Sequence, residues 1–313
     1  MSSTLGHAVT GAFGFTGKYI AAELLKTEST IRTLTNSFNR PNPFGDRIEV
    51  FPYHFDNPDN LTRVLEGVHV LYNTYWVRFN HPRFTFDQAL ENCKILINCA
   101  RKAGVERIVH ISIVNNALDS NFEYFQKKAR LEKEIQDSGL SYAILRPAVL
   151  FGSEDILINN IAWALRTFPV FFVFGTGKYR LQPIYVGDLA QLAVQHGRTL
   201  ENTVIQAIGP ETYTFYELVQ FIGQTTGKPR PILRVPPWAG YWLTRVAGYF
   251  LGDVLLTRDE IKGLMAELLY VDAPPAGTTR LSQWVSSHAH TLGRQYRSEL
   301  KRRSDRNSPY AGY

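Results

Sequence analysis

An α/β fold built on a doubly wound parallel sheet is what this sequence predicts, on three observations. Short apolar, strand-like runs alternate with helical stretches from the start of the chain. The first run turns directly into a glycine-rich loop that opens a helix. The composition, 44% hydrophobic and 13% aromatic against 20% charged, supplies a core large enough for a sheet covered on both faces.

The strand-like runs are "HAVTG" (7–11), "IRTLTN" (31–36), "IEVFPYHF" (48–55), "VHVLYNTYW" (68–76), "ERIVHIS" (106–112) and "SYAILRP" (141–147). Helical stretches fall between most of them, at 15–27, 58–66, 84–104 and 123–138. Short connections and right-handed crossovers leave the doubly wound sheet as the economical topology. Beyond residue 150 the rhythm loosens. Helices are predicted at 155–167, 188–199, 214–227, 237–251, 257–269 and 278–302, with short strands near 183–186, 203–208 and 231–235. The reading is a dinucleotide-binding domain over 1–150, then a smaller, mostly helical substrate or lid region over 151–302 interleaved with sheet-completing strands. A basic flexible tail is expected over 303–313. The aromatic stretch "WAGYWLTRVAGYFL" (238–251) is too short to span a bilayer and carries Arg245. It reads as a lid helix walling a pocket, or as an interfacial helix touching lipid.

The net charge of +6 sits mostly at one end, where six basic residues between Arg294 and Arg306 face two acidic ones. A nucleic-acid groove needs cations spread along a folded face, so none is expected. Cys93 and Cys99 share a helix and suit neither a disulfide framework nor a metal site, and His288 and His290 have no further ligands nearby. The opening "MSSTLGHAVTGAFG" lacks a basic patch followed by an apolar core, so the expected location is cytoplasmic, with peripheral membrane contact left open. Oligomeric state is not legible.

Gly11, Gly14 and Gly17 recur every third residue in "VTGAFGFTGKYIAAELL". In a strand–turn–helix context this is a dinucleotide loop. Gly11 permits the tight turn, Gly14 admits the backbone to a pyrophosphate, and Gly17 lets the helix pack close to the sheet. Phe13, Phe15 and Thr16 complete it. The second strand ends "TLTNSFNR" without the carboxylate that would mark NAD. Asn36 is there instead, and Arg40 follows where a 2′-phosphate would lie, so NADP(H) is favoured over NAD(H). Asp56, after the third strand, either accepts from the adenine amino group or caps the helix at 58–66.

Six features taken in order resemble the short-chain dehydrogenase/reductase superfamily, in its extended and atypical NAD(P)-dependent epimerase/dehydratase-like branch. They are "TGAFGFTG", Asp56, "YNTYW", "VHIS", Tyr124 with Lys128, and "LRPAVLFG" followed by "PIYVGDLA". The match is good over about 1–200 and thinner beyond. It is also similar to the nucleotide-binding accessory subunit of respiratory complex I. The resemblance implies a Rossmann-type domain in which Tyr124 is the general acid/base, Lys128 lowers its pKa and holds the ribose, and Ser112 steadies the substrate oxygen. It places Asn73 and Thr74 beside the cofactor ribose and Pro147 against the nicotinamide. Asn92 falls where a structural or catalytic asparagine lies, core hydrogen bonding being the favoured role.

The physics agrees with the carry-over. Positions i and i+4 lie on one helix face, so a cation at Lys128 approaches the Tyr124 hydroxyl and favours phenolate. Ser112 ends the fifth strand, at the carboxyl edge where such folds bind ligands. Ser112 and Tyr124 are only twelve residues apart, so "IVNNALDS" has to fold tightly. Lys127 faces about 100° away on the helix and is expected to be solvated. Tyr75, Arg78 and His81 after the fourth strand, with Arg83, either rim a substrate pocket or form a solvated loop. Asp188 is read as a helix cap.

The expected function is NAD(P)-dependent oxidation–reduction or epimerisation, with hydride exchange at a carbonyl or alcohol carbon of a small, apolar or aromatic substrate. Two rivals stand beside it. One is a non-catalytic NADP(H)-binding protein for assembly or redox sensing. The other is a peripheral membrane reductase of a quinone or lipid.

Overall fold

The computed structural model describes residues 6–28 and 30–307. The chain forms two compact units. One contains the chain up to Arg146 and takes it up again for Gly187–Ile205; the other contains Pro147–Val186 and Gln206–Asp305.

In the first unit β1 (His7–Thr10), α1 (Phe15–Leu24), β2 (Ile31–Leu34), β3 (Ile48–Phe51), α2 (Pro58–Leu65) and β4 (Val70–Asn73) follow in order. Then come α3 (Phe86–Lys102), β5 (Arg107–Ile111), α4 (Glu123–Gln136) and β6 (Ser141–Pro147). Next are β7 (Val149–Phe151), α5 (Leu157–Thr167), β8 (Phe171–Phe174), β9 (Arg180–Leu181), β10 (Pro183–Tyr185), α6 (Val186–Gly197) and β11 (Thr203–Ala207). Last come β12 (Tyr213–Thr214), α7 (Phe215–Thr225), β13 (Ile232–Val235), α8 (Pro237–Leu251), α9 (Arg258–Met265), α10 (Leu281–His288) and α11 (Glu299–Ser304).

The main sheet has seven strands in the order β11-β6-β5-β4-β1-β2-β3. Every pairing from β6 through β5, β4, β1 and β2 to β3 is parallel. The order reverses between β1 and β4, which puts the ligand crevice at the carboxyl ends of these strands. Strands β1, β4 and β5 are buried at every residue, as a sheet covered on both faces demands. Leu34, Leu71 and Ile108 pack there with Leu61, Leu96 and Leu131 from the helices.

Local chemistry sets the helix starts. Asn57, not Asp56, caps α2: its side chain accepts from Asn60 N–H, and Pro58 occupies the first turn. Asp56 is exposed in the preceding turn. Thr85 caps α3, and Thr214 and Thr257 form capping boxes with Glu217 and Glu260 at α7 and α9. Asp188 lies in the first turn of α6, two residues past its start.

The second unit has its own core, with Phe151, Ile158, Val173, Leu218 and Val285 among its members. It carries small strand pairs, β7 with β10, β9 with β12 and β8 with β13. Two expectations need correction here. The helix predicted over 278–302 is two helices, α10 and α11, with Gly293 between them at φ +68°. The basic tail does not begin at 303, because Arg303 belongs to α11 and pairs with Glu299, while Arg302 is buried. Residues 308–313 lie outside the described residues. The large side chains of α8 face outward.

Candidate functional site

The turn after β1 is shaped by its glycines. Gly11 has φ +68°, a left-handed conformation that favours glycine, and its N–H donates to Leu34 O of β2. A Cβ at Gly17 would lie 2.2 Å from Gly11 O, so only glycine lets α1 come this close to the loop. Gly14 is the N-cap of α1, no side chain caps that helix, and its first turn holds no acid. Its N-terminal end therefore offers backbone amides and partial positive charge, which suit a diphosphate. Thr33 braces the turn: its hydroxyl donates to Val9 O at 2.8 Å and accepts from Ala12 N–H at 3.0 Å.

Phe13, at the loop's centre, is buried, and its carbonyl accepts from the Arg40 guanidinium at 3.2 Å. Arg40 is buried as well, folded back by a turn in which its N–H donates to Ser37 O. Thr35 steadies that turn by accepting from Ser37 N–H, and Asn36 projects into solvent. The structure thus brings Arg40 to the glycine loop.

At the end of β4, Asn73 is fully buried and its amide is spent inside the sheet. It accepts from the Thr10 hydroxyl and Tyr75 N–H, and lies 3.3 Å from His110 Nδ1. Thr74 straps β4 to β1: its hydroxyl donates to Thr10 O at 2.6 Å and its N–H to Thr10 Oγ1 at 2.7 Å. Tyr75 sets its ring edge-on to Tyr53 and tilted against Phe55, and its hydroxyl accepts from Asn92 at 2.8 Å. Asn92 also takes a bond from Gln88, the core role expected of it.

Ser112 and the Lys128 amine come together where β5 ends, with Tyr124 one turn earlier on α4. Ser112 N–H continues the sheet to Leu145 O, and its hydroxyl accepts from Asn116 at 3.0 Å. Asn116 also donates to Glu132, which forms a forked pair with Arg146. The short loop after Ser112 is therefore tied back onto α4. Lys128 is 2% exposed; its amine donates to Ile111 O at 2.8 Å and lies 4.7 Å from the Trp76 ring centroid. Burial pulls the amine down from the usual lysine range to about 8, with Cys93 and Glu132 opposing the shift. Tyr124, one turn earlier on α4, is half-buried and sets its ring edgewise to Trp76 and Phe86. Pro147, at the far end of β6, follows Arg146 directly.

The remaining candidates make contacts of their own. His81 stacks on Phe84 in a bridged turn, and its Nδ1 accepts from Arg83 N–H. Arg78 lies over the Phe79 ring. Lys127 is not solvated as expected; it pairs with Asp87 of α3, because α3 and α4 pack side by side.

Residues 11–158 match the model of the NAD(P)H-binding family. The match covers just under half of the chain. Over 280 residues the chain is 25% identical to the mitochondrial NADH dehydrogenase (ubiquinone) 1 alpha subcomplex subunit 9 of Rattus norvegicus. The alignment covers 85% of this chain and 73% of that protein. An NADPH-dependent quinone oxidoreductase from Escherichia coli, solved with NADPH, superposes with a TM-score of 0.72 at 23% identity, over 90% of this chain and 99% of that one. A triphenylmethane reductase from Citrobacter sp. does so with 0.73 at 19%, over 91% and 99%. At such identities these two structures establish a common fold.

Within the NAD(P)H-binding domain, sequence reading missed Trp76, Asn116 and Glu132. Trp76 was visible only as part of "YNTYW". Glu132 had a readable sign, a carboxylate one turn beyond Lys128, but its partner Arg146 comes from another element. The cofactor fits the residues present: the uncapped α1 and the close approach allowed by the glycines suit a dinucleotide.

Proposed function

We propose that this chain is an NADP(H)-dependent oxidoreductase acting at a carbonyl or quinone-type carbon of an apolar, aromatic substrate. The observation that carries the reading is Lys128, a buried amine fixed on the carbonyl next to Ser112 and one helical turn from Tyr124. A cation there favours the phenolate of Tyr124, which makes the phenol a proton donor to an oxygen that gains charge. Ser112, oriented by Asn116, donates a hydrogen bond to the same oxygen. When bound, the nicotinamide supplies the hydride. Arg40 beside the glycine loop supports NADP(H) over NAD(H). Two structural neighbours, a quinone oxidoreductase and a triphenylmethane reductase, support the apolar, aromatic class.

A second reading, a non-catalytic NADP(H)-holding assembly protein, has the respiratory-complex relative in its favour. One experiment separates them. Wild type and Tyr124→Phe are titrated with NADPH and then assayed for NADPH oxidation with quinones and aromatic carbonyls. The enzymatic reading expects equal binding and a rate lower by about 10²–10⁴ in the variant. Tight binding with no turnover of any acceptor by wild type gives the assembly reading.

A further inference from the structure

Helix α8 is turned the wrong way round for a helix of a water-soluble unit. The face it packs inward is small: Gly240 against Phe174, Gly248 against the Asp253 carbonyl, with Thr244 and Ala247 half-buried between them. The face it shows to water carries Trp238, Trp242, Leu243, Val246, Tyr249 and Phe250, with Trp238 71%, Phe250 81% and Tyr249 84% exposed. Single exposed apolar residues are ordinary, but a contiguous row of six along one helix marks an interaction surface.

We infer that α8 docks this protein on the surface of an anionic lipid bilayer, lying in the interface plane. The helix is about 22 Å long at 1.5 Å per residue, and no helix among the described residues is long and apolar enough to cross a membrane. It can lie on a bilayer without spanning it. Tryptophan and tyrosine, half of the outward row, are the side chains favoured at the headgroup boundary. The helix has one charge, Arg245, and no acid. Arg245 donates to the Tyr241 hydroxyl at 3.2 Å, and the Arg258 guanidinium lies 4.6 Å from the same ring, so a cationic edge borders the apolar row.

The charge around the helix points to the same occupant. From Lys228 to Lys262 there are six cations and three carboxylates. Asp253 is turned inward, accepting from the Tyr296 hydroxyl and from Glu299 and Leu300 N–H. Glu260 is held in its capping box. A second copy of the chain would bring this cationic edge against its like, whereas anionic headgroups complement it. The inference does not depend on the hydride-transfer reading, because vesicle binding is measured without cofactor or substrate.

Full-length protein is sedimented with vesicles of phosphatidylcholine alone and of phosphatidylcholine mixed with phosphatidylglycerol. Wild type should bind the mixed vesicles, less so at high salt. Trp238→Ser with Trp242→Ser should lower that affinity by about tenfold or more. Arg245→Gln should lower it about fivefold, on the anionic vesicles only. Both variants alter exposed side chains and should unfold at the wild-type temperature. Wild type that stays in the supernatant at excess mixed lipid overturns the inference, as does undiminished binding by the tryptophan variant. Equilibrium sedimentation showing a dimer that the tryptophan variant dissociates would assign the surface to a second copy instead.

Discussion

Lys128 gives up most of its hydration for one backbone carbonyl and the face of an indole. Its folded-state pKa falls from 10.5 to about 8, chiefly through desolvation. Between those values the unfolded chain holds a proton that the native protein has released, so stability from this group rises as pH increases through the window. Lys128→Met has nothing to titrate there. Relative to that variant, wild type should gain roughly 3 kcal/mol between about pH 7 and about pH 11, read by urea unfolding at each pH. A flat difference would place the amine in water. Arg40 carries a different prediction. Arg40→Ala should weaken NADPH about tenfold or more, the worth of one charge-assisted bond, and leave NADH nearly unchanged in fluorescence titrations. Equal loss for both would mean that Arg40 only props the Phe13 carbonyl. At this scale the sequence could offer Tyr124, Lys128 and Ser112 as candidates, since spacing and strand ends are local. It could not carry Trp76 over Lys128 or Asn116 on Ser112, because those pairs meet only once β4, β5 and α4 are packed.

The helix boundaries were legible for the same local reason, and α8 is the clearest case. Pro237 opens it, Gly252 closes it at φ +61°, and its observed span matches the expected one. Its orientation was not legible, because both sides of the helix are apolar and no period distinguishes the face that packs. The glycines decide it. A Cβ at Gly248 would stand 2.5 Å from the Asp253 carbonyl oxygen, too close to be absorbed by a side-chain rotation. Alanine is the better helix former by about 1 kcal/mol, so Gly248→Ala on an unpacked helix would stabilise. Against the observed packing it should destabilise, by about 1 kcal/mol or more net of that gain, since backbone crowding must be relieved by moving α8 or the Asp253 turn. A higher unfolding midpoint for Gly248→Ala would show that α8 does not sit this close. The break between α10 and α11 was not legible for a related reason: the stretches on both sides of Gly293 are helical and only that glycine marks the stop.

At the scale of the whole molecule, the sheet-forming unit has to take back a segment, Gly187–Ile205, after the chain has left it at Arg146. Nothing in the alternation of strands and helices shows how that return is fastened. Besides the pairing of β11 with β6, one fastener is Arg107, the first residue of β5 and wholly buried. Its guanidinium donates to His196 O at the end of α6 at 2.6 Å, to Glu201 O at 2.9 Å, and to the Ser141 hydroxyl, which itself donates to Leu200 O at 2.8 Å. A planar fork satisfies three acceptors in different directions, and the carboxyl end of a helix is a favourable place for the charge. Arg107→Met would strand two buried carbonyls, so urea unfolding should show a loss of roughly 3 kcal/mol or more. Arg107→Lys should recover only part of this, because one ammonium cannot span the three acceptors. The dinucleotide crevice lies at the other end of β5, about 13 Å away at 3.3 Å per residue. NADPH affinity of the folded variants should therefore change less than about twofold, a margin under 0.5 kcal/mol. Weakened binding with unchanged stability would mean that the segment from Gly187 to Ile205 is held by something other than this arginine, and that β5 transmits its state to the site.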